Sequence, residues 1–218
     1  MTEATKKDAH VFEREEHDWY VEPTWAVELL LGAIEFTGAI LDPACGGGTI
    51  PKACIAAGHE RVTGMDIVDR GYGMAKQDFL AFNRKYVAKV ANIITNPPYK
   101  LTEEFVRQAL KFTTDKVAII VPLKFLASNT RNALFNDCPV WRICVLSSRP
   151  SMLPGRLIEA GQKPGGGAID YCWIVFKRGY TGNPETIWLM RDGAKGRPYG
   201  KDRVRKAAPE AALRGGGK

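Results

Sequence analysis

The sequence predicts an α/β domain with a mostly parallel central sheet and helices on both faces, and three observations carry that reading. Short apolar runs alternate with helix-period segments along the chain, the order expected of strand–helix–strand units. One run, KVAIIV at 116–121, is apolar after its lysine and rich in β-branched residues, as a strand covered on both faces should be. The 218 residues, 45% hydrophobic and 25% charged, suffice for one well-buried core and leave little room for a second.

The elements follow in order. A helix is expected to start near Pro23, a residue suited to a first turn, with Val27, Leu30, Leu31 and Ile34 on one face. A strand at 39–41 runs into a Gly-rich turn, and a helix at 51–57 follows, capped by Gly58. A second strand is expected at 61–67, a polar and aromatic helix around 80–86, and a short strand at 92–95 cut off by two prolines. The segment 103–112 stacks Phe105, Ala109 and Phe112 on one helical side. After the 116–121 strand come a helix at 130–135 and strands at 141–146 and 171–176. The intervening loop, 147–168, is expected to be irregular because of its Pro and Gly content, and its length suggests a functional insertion.

Composition excludes several classes. No apolar run approaches the roughly 20 residues of a membrane span, and residues 1–17 are polar and mixed in charge with no signal-peptide stretch. A cytoplasmic protein is expected. Cys45, Cys54, Cys138, Cys144 and Cys172 form no CxxC pair, and His10, His17 and His59 stand at no metal-ligand spacing. No metal is expected. Of the net charge of +7, the tail 191–218 carries +6, from nine Lys or Arg against three Asp or Glu. Such a tail is expected to be flexible and attracted to polyanions, which leaves 18–190 as the folded domain.

The sharpest local signal is Asn96-Pro97-Pro98-Tyr99, directly after a strand. Two prolines restrict the residues before them and stiffen the bend, at the strand end where open α/β sheets place ligands. The Asn96 amide oxygen and Pro97 carbonyl form a pair of fixed acceptors beside a Tyr99 ring, suited to a planar ring bearing an amino group. A second signal is DPACGGGT at 42–49. Its glycines let backbone approach a ligand, but it lacks the lysine of a phosphate loop and the GxGxxG of a dinucleotide fold. Asp42 beside the turn favours a cationic ligand group. Third, Asp66 ends the second strand 24 positions later, where a carboxylate can accept from ribose hydroxyls. Asp78-Phe79-Leu80 adds a carboxylate and an apolar pair able to read and sandwich an adenine.

In order, DPACGGGT, MDI, QDFL and NPPY resemble the motifs of S-adenosylmethionine-dependent amino methyltransferases acting on DNA. HDWYVEP upstream, and PLKFLAS, the Arg131 helix, SSRPSM and DYCWIVFKRGY downstream, are similar to compact phage and prophage DNA adenine methyltransferases. The resemblance implies a Rossmann-like class I methyltransferase fold, S-adenosylmethionine as cofactor, DNA as partner, and the cytoplasm of a bacterium or phage-infected cell. It implies that Asp42 and the backbone of Ala44, Cys45, Gly46 and Gly48 hold the amino-acid end of the cofactor, with Tyr20 near its carboxylate. Asp66 would take the ribose and Ile67 lie against the adenine, with Asp78 accepting from the adenine amine beside Phe79. Asn96 and Pro97 would bind the target N6, with Pro98 stiffening the bend and Tyr99 stacking on the base.

The chain departs from the family pattern at Glu22, where a Thr or another small residue is expected, and by lacking a recognisable target-recognition domain. Arg149, Arg156 and Lys163 in the 147–168 loop are the expected phosphate contacts. The tetrapeptide also fits methylation of RNA adenine, cytosine N4 or a release-factor glutamine. A non-catalytic nucleic-acid-binding module is a further alternative. Cytosine C5 chemistry is disfavoured, because no cysteine is suitably placed beside a proline.

Overall fold

The expected buried strand sits at the centre of the sheet, and its residues alternate between two cores. The computed structural model describes residues 19–83, 88–163 and 165–191. In chain order the strands are β1 (Tyr20–Val21), β2 (Ile40–Asp42), β3 (Val62–Gly64), β4 (Val90–Thr95), β5 (Thr113–Pro122), β6 (Val140–Leu146), β7 (Leu153–Pro154), β8 (Tyr171–Lys177) and β9 (Glu185–Leu189). The helices are α1 (Thr24–Ala33), α2 (Thr49–Ala56), α3 (Thr102–Phe112), α4 (Asn132–Asp137) and α5 (Gly155–Glu159).

Seven strands form one sheet in the order β3-β2-β4-β5-β8-β6-β9. All are mutually parallel except β8, which runs antiparallel to both β5 and β6. Ala118, Ile120, Trp173 and Val175 face one core with α1 and α2, while Val117, Ile119, Ile174 and Phe176 face the other with α3 and α4. This two-residue alternation is the pleat itself, and burial on both faces explains why β5 reads as a continuous apolar run. Trp173 reaches across the first core, where its indole N–H donates to the Ala26 carbonyl at 2.9 Å and ties α1 to β8. The chain therefore has the α/β Rossmann-like fold expected from its motifs.

The sheet also explains the position of the site. From β2 the chain crosses through α2 to β3 on one side, then returns to pair β4 on the other. The loops leaving β2 and β4 diverge at this reversal and open a crevice at the strands' carboxyl ends.

Several expectations need correction. The 147–168 segment is not wholly irregular: it contains β7, which pairs antiparallel with β1 through Tyr20–Pro154 and Val21–Leu153, and the single-turn α5. Pro154 fits there because it sits in a two-stranded ribbon where few ladder bonds are needed. Of the helix expected around 80–86, positions 84–86 lie outside the described residues; the described part is a 3-10 turn, Phe79–Ala81, followed by an extended Phe82. Its core contact came from one residue: Phe79 packs against Phe82, Phe105 and Phe112. The helix at 130–135 begins instead with a 3-10 turn, Asn129–Arg131, before α4. The sequence reading missed β9, an edge strand whose residues are largely exposed before Leu189. Residues 1–17 and the basic tail beyond Arg191 lie outside the described residues.

Candidate cofactor and amine-binding site

The glycine turn after β2 is held by hydrogen bonds at nearly every residue. The Asp42 carboxylate accepts from the Ala44 N–H at 3.1 Å, closing a local turn of the kind Asp favours. The Cys45 N–H donates to the Met65 carbonyl at 2.9 Å, and the Gly46 N–H donates to Asp66 Oδ2 at 2.8 Å. Gly48, at φ 86°, caps the start of α2. Gly46 has φ 50°, and a Cβ there would lie 2.5 Å from the Trp19 indole nitrogen. Both the backbone angle and the close approach therefore require glycine. Asp66 also accepts from the Val68 N–H through its other oxygen at 2.9 Å. One carboxylate thus fastens the end of β3 to the bend after β2.

A cavity of about 310 Å³ opens beside this turn. Its lining brings together Tyr20, Ala44, Cys45, Gly46, Asp66, Ile67, Asp78, Phe79, Asn96 and Pro98 from the sequence-derived set. Asp42 is buried behind the bend, Pro97 is buried, and Gly48 and Tyr99 do not line the cavity. Ile67 is 48% exposed. Together with Phe79 and Leu80, which also line the cavity, it supplies an apolar ledge. The Asp78 carboxylate accepts from the Leu80 N–H at 2.9 Å and caps the turn below them.

Asn96 is held from the amide nitrogen side. Nδ2 donates to the Tyr20 carbonyl at 2.8 Å and to Glu22 Oε2 at 2.9 Å. Both amide hydrogens are thereby used, and among the described residues no donor reaches Oδ1. The Tyr99 ring stacks on Tyr20 with centroids 6.0 Å apart and planes 15° from parallel. Its hydroxyl shares a hydrogen bond with the Tyr171 hydroxyl at 3.2 Å. Burial raises the Tyr99 phenol well above its ordinary range, so it stays neutral.

The site is crowded with carboxylates. Burial pushes Glu22 up to about 7, against the hydrogen bond from Asn96 that lowers it. Burial likewise raises Asp42 well above the usual carboxylate range, and the nearby charges of Glu22 and Asp66 add to it. Of these carboxyls, Glu22 and Asp66 line the cavity, while Asp42 stands behind the bend. The Cys45 thiol is pushed up to about 12, chiefly by burial and then by Asp42 and Asp66. It is a packed thiol rather than a nucleophile.

Burial of Glu22 has a consequence for stability. Its folded pKa lies above the unfolded one, so between pH 4.5 and 7 the folded state binds more protons there. That contribution falls as pH rises through this window, by up to about 3 kcal/mol. Urea unfolding at pH 5 and pH 7.5 should show a smaller loss, or a gain, on raising pH in Glu22→Gln relative to wild type. Identical pH dependence in the two proteins would contradict the assignment.

Residues missed by the sequence reading fill out the wall. Trp19 lies against Gly46 and also against Gly155, where a Cβ would fall 2.1 Å from its ring. The Arg70 guanidinium covers the Trp19 ring at 3.8 Å, with Nε 3.9 Å from Asp66. Lys100, Leu101 and Phe105 line the side beyond Pro98. Trp19 falls within the HDWYVEP stretch and Phe105 on the apolar face of α3, but neither carries a local signal for the cavity wall, and Glu22 stands out only as a departure from the expected small residue.

Arg149, Arg156 and Lys163 are exposed and do not line the cavity. Arg149 is paired with Asp170 at 2.7 Å. Among the described residues there is no group of three potential metal ligands, and no helix is long and apolar enough to cross a membrane.

No family model matches the chain, and no curated protein matches it in sequence. Solved structures do resemble it. A modification subunit assigned to a type I restriction enzyme from Vibrio vulnificus superposes with a TM-score of 0.55 at 15% identity, over 82% of this chain and 48% of the other. The chain thus spans about half the length of that subunit. A protein assigned as an RNA methyltransferase from Pyrococcus horikoshii gives 0.54 at 18% identity, over 74% of this chain and 87% of its own. A predicted O-methyltransferase from Agrobacterium tumefaciens gives 0.51 at 15% identity, over 80% and 91% respectively. At these identities the likeness concerns the fold, and the fold is the Rossmann-like α/β fold that these methyltransferase structures share.

Proposed function

We propose that the protein transfers a methyl group from S-adenosylmethionine to the exocyclic N6 amine of adenine in DNA. The observation carrying this reading is the twice-anchored Asn96 amide on the same cavity as the glycine bend held by Asp66. The residues fit the cofactor. The apolar ledge of Ile67 and Phe79, with Asp78 beside it, suits an adenine and its amine; Asp66 suits the ribose. The bend at 44–48, with Asp42 behind it and Tyr20 opposite, suits the amino-acid end. When bound, the cofactor supplies a methyl group already made electrophilic by its sulfonium, so no metal or covalent protein nucleophile is needed.

The chain's own residues then position the nucleophile. Asn96 Oδ1 and the Pro97 carbonyl accept the two hydrogens of the target amine and hold its lone pair along the line of attack. Pro98 fixes their relative direction by restricting the backbone. Positive charge develops on the amine as it takes the methyl group, and its surplus proton passes to solvent; Glu22, where ionised above about pH 7, favours that charge. A duplex adenine must leave its stack to reach this lip, at a few kcal/mol. Tyr99 can stack on that base only if its contact with Tyr20 gives way. Lys100, exposed on the cavity lining, would meet a neighbouring phosphate, and Arg149, Arg156 and Lys163, exposed in the 147–168 segment, would meet others.

The test is incubation of the purified protein with methyl-labelled S-adenosylmethionine and, separately, DNA, RNA and a peptide-release factor. Label in DNA that elutes after digestion as N6-methyldeoxyadenosine is the expected result. Label confined to RNA, to cytosine N4 or to the release factor would move the substrate to that class. No transfer to any of them, with cofactor binding absent, would leave a binding module.

A further inference from the structure

We propose that Glu22 is a positioning residue for methyl transfer, locking the Asn96 amide so that its oxygen, not its nitrogen, faces the target amine. The inference rests on the reading of Asn96 as the amine-binding residue and goes beyond it. An asparagine amide has two nearly isosteric ends, one accepting and one donating. A lip that must accept hydrogens from an amine fails if the amide is turned over. The two groups that meet Asn96 Nδ2 are the Tyr20 carbonyl at 2.8 Å and Glu22 Oε2 at 2.9 Å. A carbonyl accepts only, and so does an ionised carboxylate. Neither can partner an amide oxygen, so the flipped amide loses two hydrogen bonds and gains a repulsion. The bond to the charged carboxylate is the stronger of the two kinds.

The contact is built by the tertiary fold. Glu22 lies 74 residues from Asn96 in sequence, just before α1 and after β1, whose pairing with β7 fixes the approach of this segment. Its side chain is buried at 7% exposure. Among the described residues no Lys or Arg forms an ion pair with it. The titratable groups it acts on electrostatically are Asp42 on β2, Cys45 in the bend and Tyr99 after the prolines.

Protonation weakens the lock, because a carboxylic acid can donate as well as accept. The lock therefore strengthens as pH rises through about 7. Glutamine keeps an acceptor oxygen without the titration, and alanine removes the acceptor.

The experiment measures methyl transfer to unmethylated adenine-containing DNA, S-adenosylmethionine affinity, and the Asn96 side-chain amide signals by NMR, in wild type, Glu22→Gln and Glu22→Ala. In wild type, kcat should rise with pH through about 7 and the Asn96 amide protons should exchange slowly and shift over the same range. Glu22→Ala should lose about 10- to 100-fold in kcat, with cofactor affinity within about twofold of wild type. Glu22→Gln should restore most of that loss and flatten the pH profile. An Asn96 amide that exchanges freely in wild type, or a Glu22→Ala kcat equal to wild type, would overturn the proposal. If wild type transfers no methyl group to DNA, the substrate assignment fails. The NMR exchange and its pH shift still decide the lock, which stands if they are seen and falls if they are not.

Discussion

Asn96→Ala is expected to lower the rate of methyl transfer by at least about 100-fold while leaving S-adenosylmethionine binding nearly unchanged. The alanine removes the side-chain acceptor of the pair that holds the target amine, and leaves only the Pro97 carbonyl. It also removes the donor that meets Glu22 Oε2 at 2.9 Å and the Tyr20 carbonyl at 2.8 Å. With its hydrogen bond gone, the buried Glu22 carboxyl should titrate still higher. Asn96→Asp keeps an acceptor but sets a charge within reach of Glu22, so it should be impaired as well. Single-turnover transfer to DNA, paired with calorimetric titration of the cofactor, separates the two effects. A large loss of cofactor affinity with an unchanged chemical step would place Asn96 in the cofactor wall instead.

Asp66→Ala should act on the other half of the site, weakening cofactor affinity by at least about 100-fold. The carboxylate is proposed to accept from both ribose hydroxyls, and its loss removes charge-assisted hydrogen bonds worth roughly 1.5–3 kcal/mol each. It also holds the Gly46 and Val68 N–H groups at 2.8 and 2.9 Å. Left without an acceptor, a buried N–H costs about 1–3 kcal/mol, so the melting temperature should fall too. The bend would no longer be fastened to β3. Calorimetry with S-adenosylmethionine and thermal unfolding measure both consequences. Unchanged affinity in a folded Asp66→Ala protein would exclude a ribose contact at this carboxylate.

How much of this was legible in the sequence depends on the range of the interaction. The β5 run, the stacked Phe105, Ala109 and Phe112 of α3, and the glycine turn all carry local signals, because burial period and positive φ constrain neighbouring residues directly. The convergence of Asp66 with Gly46, and of Asn96 with the same cavity, followed from strand order in a parallel sheet. The two-residue strands β1 and β7 have no readable period, and their pairing depends on segments more than 130 positions apart. Trp19 and Glu22 flank β1, and their contacts with Gly155 and Asn96 are likewise long-range. β9 was invisible because an edge strand exposing most of its residues lacks the apolar alternation of a half-buried one. At the start of the expected 80–86 helix, Phe79 and the partly buried Phe82 pack from a 3-10 turn and an extended residue, so their apolar spacing reflects no helical face there.

The most direct measurement is a crystal structure of the protein with S-adenosylmethionine or its sulfonium-bearing analogue bound. The expected electron density lies along the Gly46 bend, with ribose oxygens on Asp66 and the sulfonium methyl facing Asn96 Oδ1 across a gap wide enough for one amine. A ligand seated elsewhere, or a methyl directed away from Asn96, would contradict the assignment of this cavity to methyl transfer.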